Sequence, residues 1–120
     1  MAKTICIIDD EPGIRAELGN WLEDYGYAVM TAASGAEALE KIRQNRPSLV
    51  ILDIIMPEID GLEVLTILKS DPMTSSIPVI MLSAKKETAT IIKAQGLQAQ
   101  DYFMKPFEND EFIRSIRRYV

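Results

Sequence analysis

The chain has a single cysteine, no histidine and no long apolar run. Because Cys6 has no second thiol to pair with, an internal disulfide is excluded and a reducing compartment is favoured. Zinc sites built from histidine and cysteine are excluded as well. The apolar run at 5–8 stops at Asp9, far short of the roughly 20 residues that cross a bilayer. We therefore expect a cytoplasmic protein without a membrane segment, in which Cys6 fills part of the core.

The charge balance is acidic, with 18 Asp and Glu residues against 13 Lys and Arg residues and a formal net charge of −5. This deficit of basic residues argues against direct nucleic-acid binding, which depends on neutralising phosphates. The length of 120 residues and the 48% hydrophobic content are those of one ordinary globular domain. We therefore expect a single domain over residues 1–120.

Short apolar runs alternate with segments of helical period along the chain. The runs predict five strands, at 4–9, 27–32, 48–55, 77–83 and 101–104. Among the five predicted helices, the second and third start at Ser34 and Asp60, each followed three residues later by a glutamate, and the fourth covers about 86–96. The predicted inward residues include Ile14, Leu18, Trp21, Leu22 and Tyr25 in the first helix and Phe112, Ile113 and Ile116 in the last. This alternation predicts an α/β fold, a doubly wound parallel sheet with helices on both faces.

Polar and charged residues stand at the ends of the apolar strands. Asp9 and Asp10 end the first strand, Asp53 the third and Ser83 the fourth, while Lys105 follows the fifth. In doubly wound sheets the carboxyl ends of the strands share one edge, and ligands bind there, where the strand order reverses. We therefore expect three carboxylates, one hydroxyl and one ammonium to converge at this edge.

Carboxylates gathered at one edge repel one another unless a positive partner neutralises them. Magnesium suits this set, since Mg²⁺ takes one or two carboxylates and shares its other positions with water and phosphate. The chain has no EF-hand pattern, which argues against a calcium loop. Beside a metal, an aspartate can attack a phosphoryl group, while Lys105 and Ser83 hold the transferring oxygens. The residues thus predict magnesium-dependent transfer of a phosphoryl group to an aspartate.

Four motifs, in order and with matching spacing, resemble those of a known family. They are "IIDDEPGIR", "LVILDIIMPEIDGLEVL", "IPVIMLSA" and "DYFMKPF", and together they extend over essentially the whole chain. The chain resembles the receiver domain of response regulators in two-component signal transduction. The resemblance implies a flavodoxin-like fold of five parallel strands in the order 2-1-3-4-5 with five helices. It also implies a signalling domain in place of an ordinary enzyme.

The resemblance implies a set of roles for the acidic residues. Asp53 matches the aspartate that accepts a phosphoryl group from the phosphohistidine of a sensor histidine kinase or phosphotransfer protein. Asp10 matches a direct Mg²⁺ ligand, and Asp9 matches the acid that holds a metal-bound water. Ile55, two residues beyond Asp53, would supply its backbone carbonyl to the metal.

The resemblance also implies a switch. Ser83 and Lys105 match the residues that bind the phosphoryl group, Ala84 the small residue beside the hydroxyl, and the Lys105–Pro106 peptide bond is cis in the family. Tyr102 matches the aromatic residue that turns inward when the hydroxyl residue moves. The surface of the fourth helix, fifth strand and fifth helix would then change and signal to an output domain or a target protein, with a homodimer as one possible form.

The chain departs from the family pattern before the fifth strand. The family reads Gly-Ala-Asp-Asp-Tyr there, whereas this chain reads "QAQDY" at 98–102, with Gln98 in place of the glycine. A residue other than glycine is strained at positive φ. We therefore expect either a different turn or a transfer of the positive φ to Gly96.

Three other functions fit parts of the same pattern. A phosphatase or phosphotransferase of the haloacid-dehalogenase type also uses a strand-end aspartate, but it needs a second acid where this chain has Ile55. The main alternative is a receiver-like interaction module that works without phosphorylation. Failure to bind Mg²⁺ would favour this module over a phosphate-accepting receiver. A dinucleotide-binding enzyme is disfavoured because no G-x-G-x-x-G motif follows a predicted strand.

Overall fold

The computed structural model describes residues 2–84 and 88–120, in which five strands alternate with five helices. In chain order the elements are β1 (Thr4–Ile8), α1 (Pro12–Asp24), β2 (Ala28–Ala32), α2 (Gly35–Asn45), β3 (Leu49–Leu52), α3 (Gly61–Ser70), β4 (Val79–Ser83), α4 (Thr88–Gly96), β5 (Asp101–Met104) and α5 (Asn109–Tyr119). Each strand lies inside its predicted range. The start of the fourth helix that the sequence predicted near residue 86 falls outside the described residues.

The five strands form one parallel sheet in the order β2-β1-β3-β4-β5. The predicted α/β fold and its strand order are therefore confirmed. Because β1 pairs with β2 on one side and with β3 on the other, the strand order reverses between β1 and β3. The carboxyl ends of all five strands lie at one edge, which we call the carboxyl edge. Because the strand order reverses between β1 and β3, a ligand is expected at the part of this edge between those two strands.

Helices cover both faces of the sheet. Helices α1 and α5 pack on one face, and α2, α3 and α4 pack on the other, each face with its own apolar cluster. The central strands are buried on both sides, which explains why β3 and β4 are almost continuously apolar. None of the helices in the described part of the chain has the length and apolar content to cross a bilayer.

The two helix starts predicted from capping residues are present. The Ser34 hydroxyl accepts a hydrogen bond from the backbone N–H of Glu37 at 3.2 Å. The Asp60 carboxylate accepts one from the backbone N–H of Glu63 at 2.9 Å. Each bond satisfies an N–H group that the first turn of a helix leaves without a partner. The cap at Asp60 fixes where α3 begins, directly after the loop that follows Asp53.

The prediction that Tyr25 belongs to the inward face of the first helix is wrong. Tyr25 follows the last helical residue of α1, and its side chain is 42% exposed. Its ring instead meets Trp21 edge to face at 5.1 Å between centroids, and the Arg117 guanidinium lies 5.2 Å from its centroid. Beyond a helix end the backbone turns away from the helical path, so helical spacing no longer places a side chain on the buried face.

Cys6 is fully buried in β1, as the sequence predicted. Burial raises the pKa of its thiol to about 12, so the reactive thiolate is essentially absent at neutral pH. The residue therefore acts as a small apolar side chain in the core.

The expectation for the turn after α4 is wrong. Gln98 itself adopts a left-handed conformation with φ of 72°, and the only glycine with positive φ in the described residues is Gly26. The N–H of Ala99 donates to the carbonyl of Ala94 and the N–H of Gln98 to that of Gln95, both at 3.0 Å. These two bonds form a Schellman motif, which places its left-handed residue at Gln98. The motif satisfies carbonyls at the helix end and so keeps the turn despite the side chain.

A Gln98→Gly variant should be more stable than the wild type by about 0.5 kcal/mol. Relief of the left-handed strain contributes about 1 kcal/mol, and the greater freedom of glycine in the unfolded chain offsets about half of it. Urea unfolding measures the difference. The matched control is Gln95→Gly inside α4, where the same change should cost roughly 0.5 kcal/mol. Equal losses in both variants would show that Gln98 carries no strain.

Candidate functional site

Asp9 follows β1 directly and is held by contacts on all sides. Its backbone N–H donates to the carbonyl of Ala32 at 3.2 Å, and its Oδ1 accepts from the N–H of Glu11 at 3.0 Å. Its own carbonyl accepts from Arg15 Nη1 at 2.7 Å. The residue is only 2% exposed, so its carboxylate has a defined position at the carboxyl edge.

Asp53 follows β3 at the neighbouring position of the same edge. Its N–H donates to the carbonyl of Ile8 at 2.9 Å, which extends the β1–β3 pairing by one residue and brings Asp53 beside Asp9. The Ser83 side chain and the backbone N–H of Ile55 both act to lower the pKa of the Asp53 carboxyl. Asp53 is 5% exposed and Ser83 is fully buried.

Lys105 reaches the site from the loop after β5. Its backbone N–H donates to the carbonyl of Ser83 at 3.0 Å, and its peptide bond to Pro106 is cis. Its Nζ lies 2.7 Å from Asp9 Oδ2 and 3.7 Å from Asp53 Oδ2. The ammonium therefore bridges the two buried acids, with the shorter contact to Asp9.

The third acid, Asp10, completes a cluster at the carboxyl edge. One carboxylate oxygen from each of Asp9, Asp10 and Asp53 lies within 4.8 Å of the others. Asp10 is exposed while the other two are buried, so the cluster opens to solvent on one side. An open set of carboxylate oxygens is the chemistry that a hard cation such as Mg²⁺ selects, with free positions left for water or phosphate. The residues present thus fit a magnesium ion.

The surroundings of Asp53 disfavour the ionised form of its carboxyl. Burial raises the pKa of the Asp53 carboxyl; the charge of Lys105 acts against this shift and that of Asp9 adds to it. Burial alone would lower the pKa of Lys105, but its hydrogen bond to Asp9 and the charge of Asp53 outweigh that effect and raise it. The ammonium is therefore retained as a fixed positive charge, and an additional cation would relieve the remaining repulsion.

Gly61, the first residue of α3, shapes the loop that follows Asp53. A Cβ at this position would lie 2.7 Å from the Cα of Ile54 and closer still to the carbonyl oxygen of Asp53. The N–H of Gly61 donates to the Ile54 carbonyl at 2.8 Å. The chain thus passes directly over the backbone of Asp53, and only glycine allows this approach.

Other residues named from the sequence lie around the cluster. The side chain of Ile55 is 55% exposed beside Asp53, and Ala84 is exposed after β4. Tyr102 in β5 is half-buried away from the acids and lines a pocket of about 140 Å³ with residues of α4, including Ile91 and Ala94. The structure therefore brings the acids, Ser83 and Lys105 together and leaves Tyr102 on the α4 side of the sheet.

Comparison with known proteins agrees with this arrangement. The family model of the response regulator receiver domain matches residues 5–117. The chain is 41% identical over 119 residues to the probable transcriptional regulator ycf27 of Porphyridium aerugineum, covering 97% of this chain and 48% of that protein. It is 33% identical over 117 residues to the DNA-binding response regulator MtrA of Mycolicibacterium smegmatis, covering 98% and 50%. A putative response regulator from Chloroflexus aurantiacus superposes with a TM-score of 0.93 at 34% identity, covering 99% and 98%.

The chain belongs to the response-regulator receiver family. Its receiver fold is complete in the described residues, and receivers of this family generally bind Mg²⁺ and work with histidine kinases and output domains. The chain spans about half the length of the curated relatives it matches. A receiver domain of this kind is a signalling domain, and the Asp9–Asp10–Asp53 cluster lies where its ligand is expected.

Proposed function

We propose that this receiver domain accepts a phosphoryl group from the phosphohistidine of a sensor kinase onto Asp53. The observation that carries the proposal is the position of the Asp53 carboxylate, within 4.8 Å of two other acids and 3.7 Å from the Lys105 ammonium. An Asp53 oxygen forms the new bond to phosphorus, the phosphorus–nitrogen bond breaks, and the electron pair stays on the histidine nitrogen. The product is an acyl phosphate on Asp53.

The chain supplies the other parts of the reaction. Asp9, Asp10, Asp53 and the carbonyl of Ile55 would hold Mg²⁺. When bound, the metal supplies positive charge that neutralises the transferring phosphoryl oxygens. Lys105 provides a second positive charge next to Asp53, and the Ser83 side chain, which acts on the pKa of that carboxyl, can donate to a phosphoryl oxygen.

We propose that the phosphoryl group then shifts the domain between two states. Attraction of Ser83 to the phosphoryl group would free space between β4 and α4, into which Tyr102 turns from its half-buried position. The surface of α4, β5 and α5 would change and act on an output domain or target protein, by population shift between existing conformations. The printed names of the longer relatives, DNA-binding and transcriptional regulators, support an output in gene control, and the unpaired Cys6 supports a cytoplasmic location.

The test is the response of the purified domain to magnesium. At a Mg²⁺ concentration of 100 times Kd, binding to the folded state alone adds about 2.7 kcal/mol to the free energy of unfolding. We expect thermal unfolding of the wild type to shift upward with Mg²⁺ and to return with EDTA, and an Asp10→Asn variant to respond much less. With acetyl phosphate and Mg²⁺ the wild type should become phosphorylated, and amide exchange in 88–104 should change.

Absence of both effects in the wild type would overturn the proposal. A folded wild type that neither binds Mg²⁺ nor accepts phosphate would instead be a phosphorylation-independent interaction module. Neither result depends on knowing the cognate kinase, because acetyl phosphate serves as the phosphoryl donor.

A further inference from the structure

The loop that carries Asp9 and Asp10 is held by a residue outside the acidic cluster, Arg15 on α1. The Asp9 carbonyl lies past the last residue of β1, where strand pairing no longer supplies a donor. Arg15 Nη1 fills this place with a hydrogen bond of 2.7 Å. A charged donor at this length is among the stronger hydrogen bonds in proteins. The guanidinium therefore fixes the backbone of Asp9 from the side of the helix.

The far end of the loop is tied by bonds that do not need the Arg15 side chain. The backbone N–H of Arg15 donates to the carbonyl of Glu11 at 3.2 Å, and the N–H of Glu11 donates to Asp9 Oδ1 at 3.0 Å. Asp10 lies between these two tied residues, and its carboxylate is exposed. Of these three bonds only the one from the guanidinium depends on the Arg15 side chain, and it fixes the peptide unit that joins Asp9 to Asp10.

We propose that Arg15 is the positioning residue for the divalent cation of this domain, acting through the Asp9 carbonyl and the path of Asp10. The inference rests on the proposed function, in which the cluster holds Mg²⁺. Two effects of Arg15 oppose each other, because a nearby positive charge repels Mg²⁺ while a fixed loop presents its ligands ready for binding. If repulsion dominates, loss of the Arg15 side chain tightens Mg²⁺ binding. If the fixed loop dominates, the same loss weakens it.

Titration of the full chain with Mg²⁺ separates the two effects. Partners that orient metal ligands typically contribute a factor of 10 to 100 in affinity, so we expect Arg15→Met to bind Mg²⁺ about tenfold more weakly than the wild type. Arg15→Lys keeps a cationic donor and should recover most of that loss. The control is Arg43→Met, which removes the same charge from the exposed last turn of α2, at the edge opposite the cluster. Unchanged or tighter binding in Arg15→Met would overturn the proposal.

A second measurement needs no metal. In the metal-free protein, amide exchange at Glu11 should be faster in Arg15→Met than in the wild type, while exchange in the centre of β3 stays the same. Equal exchange at Glu11 would show that Arg15 does not hold the loop. If the wild type binds no Mg²⁺, the proposed function fails, and the exchange result still decides whether Arg15 positions Asp9 and Asp10.

Discussion

An Asp53→Asn variant should take up no phosphoryl group from acetyl phosphate, whereas the wild type should be phosphorylated when Mg²⁺ is present. An Asp53 oxygen attacks phosphorus while the phosphorus–oxygen bond to acetate breaks and acetate leaves. A side-chain amide has no anionic oxygen for this attack. Intact-protein mass spectrometry measures the uptake, and borohydride reduction of the acyl phosphate identifies the modified residue.

The matched control for this variant is Asp71→Asn. Asp71 follows α3 at the edge opposite the cluster, and its Oδ1 accepts a hydrogen bond from the N–H of Met73 at 2.9 Å. Asparagine keeps this kind of turn, so the control should fold and be phosphorylated like the wild type. Phosphorylation of Asp53→Asn to the wild-type extent would assign the reaction to another residue.

The same Asp53→Asn variant should unfold at a higher temperature than the wild type when metal is absent. Burial raises the pKa of Asp53, with Lys105 acting against the shift and Asp9 adding to it. Because folding raises the pKa of this carboxyl, ionised Asp53 costs stability, and this penalty grows as the pH rises from the unfolded-state pKa through the folded-state pKa. The neutral amide of asparagine does not carry this cost in stability. A lower unfolding temperature would show that the Lys105 contact outweighs burial.

A Gly61→Ala variant should lose about 3 kcal/mol of the free energy of unfolding and most of its phosphorylation. The added Cβ would lie 2.7 Å from the Cα of Ile54 and 2.8 Å from the carbonyl carbon of Asp53. These are backbone atoms that cannot rotate away, so the loop after β3 has to move, at the cost typical of severe overpacking. The movement displaces Asp53 and Ile55 from the site. Urea unfolding and uptake from acetyl phosphate measure the two losses.

Gly13→Ala is the matched control for Gly61→Ala, since both glycines lie in the first turn of a helix. An added Cβ at Gly13 would meet no atom within 4 Å. Alanine should therefore stabilise α1 there by roughly 0.5–1 kcal/mol. Similar stabilities of the two variants would mean that the backbone at Gly61 adapts easily.

The fold could be predicted because its signals are local. The apolar runs that became β3 and β4 are buried on both faces, and the caps at Ser34 and Asp60 formed as their spacing indicated. The errors occurred where a helix ends. At Tyr25 the helical period stopped applying, and at Gln98 the hydrogen bonds of the turn imposed a conformation that the residue type disfavours. Propensity is a weak preference that packing and hydrogen bonding override.

By itself the sequence determined which strands end in Asp9, Asp10, Asp53 and Ser83, and hence that these residues share one edge of a parallel sheet. Only the tertiary structure decided how their atoms meet. It places the Lys105 ammonium on Asp9, 96 positions earlier in the chain, at a shorter distance than on Asp53. It also makes Gly61 pass over the Asp53 backbone. Spacing in a sequence specifies the face and the end of an element, whereas contacts between distant residues depend on side-chain rotamers and loop paths that only the packed chain selects.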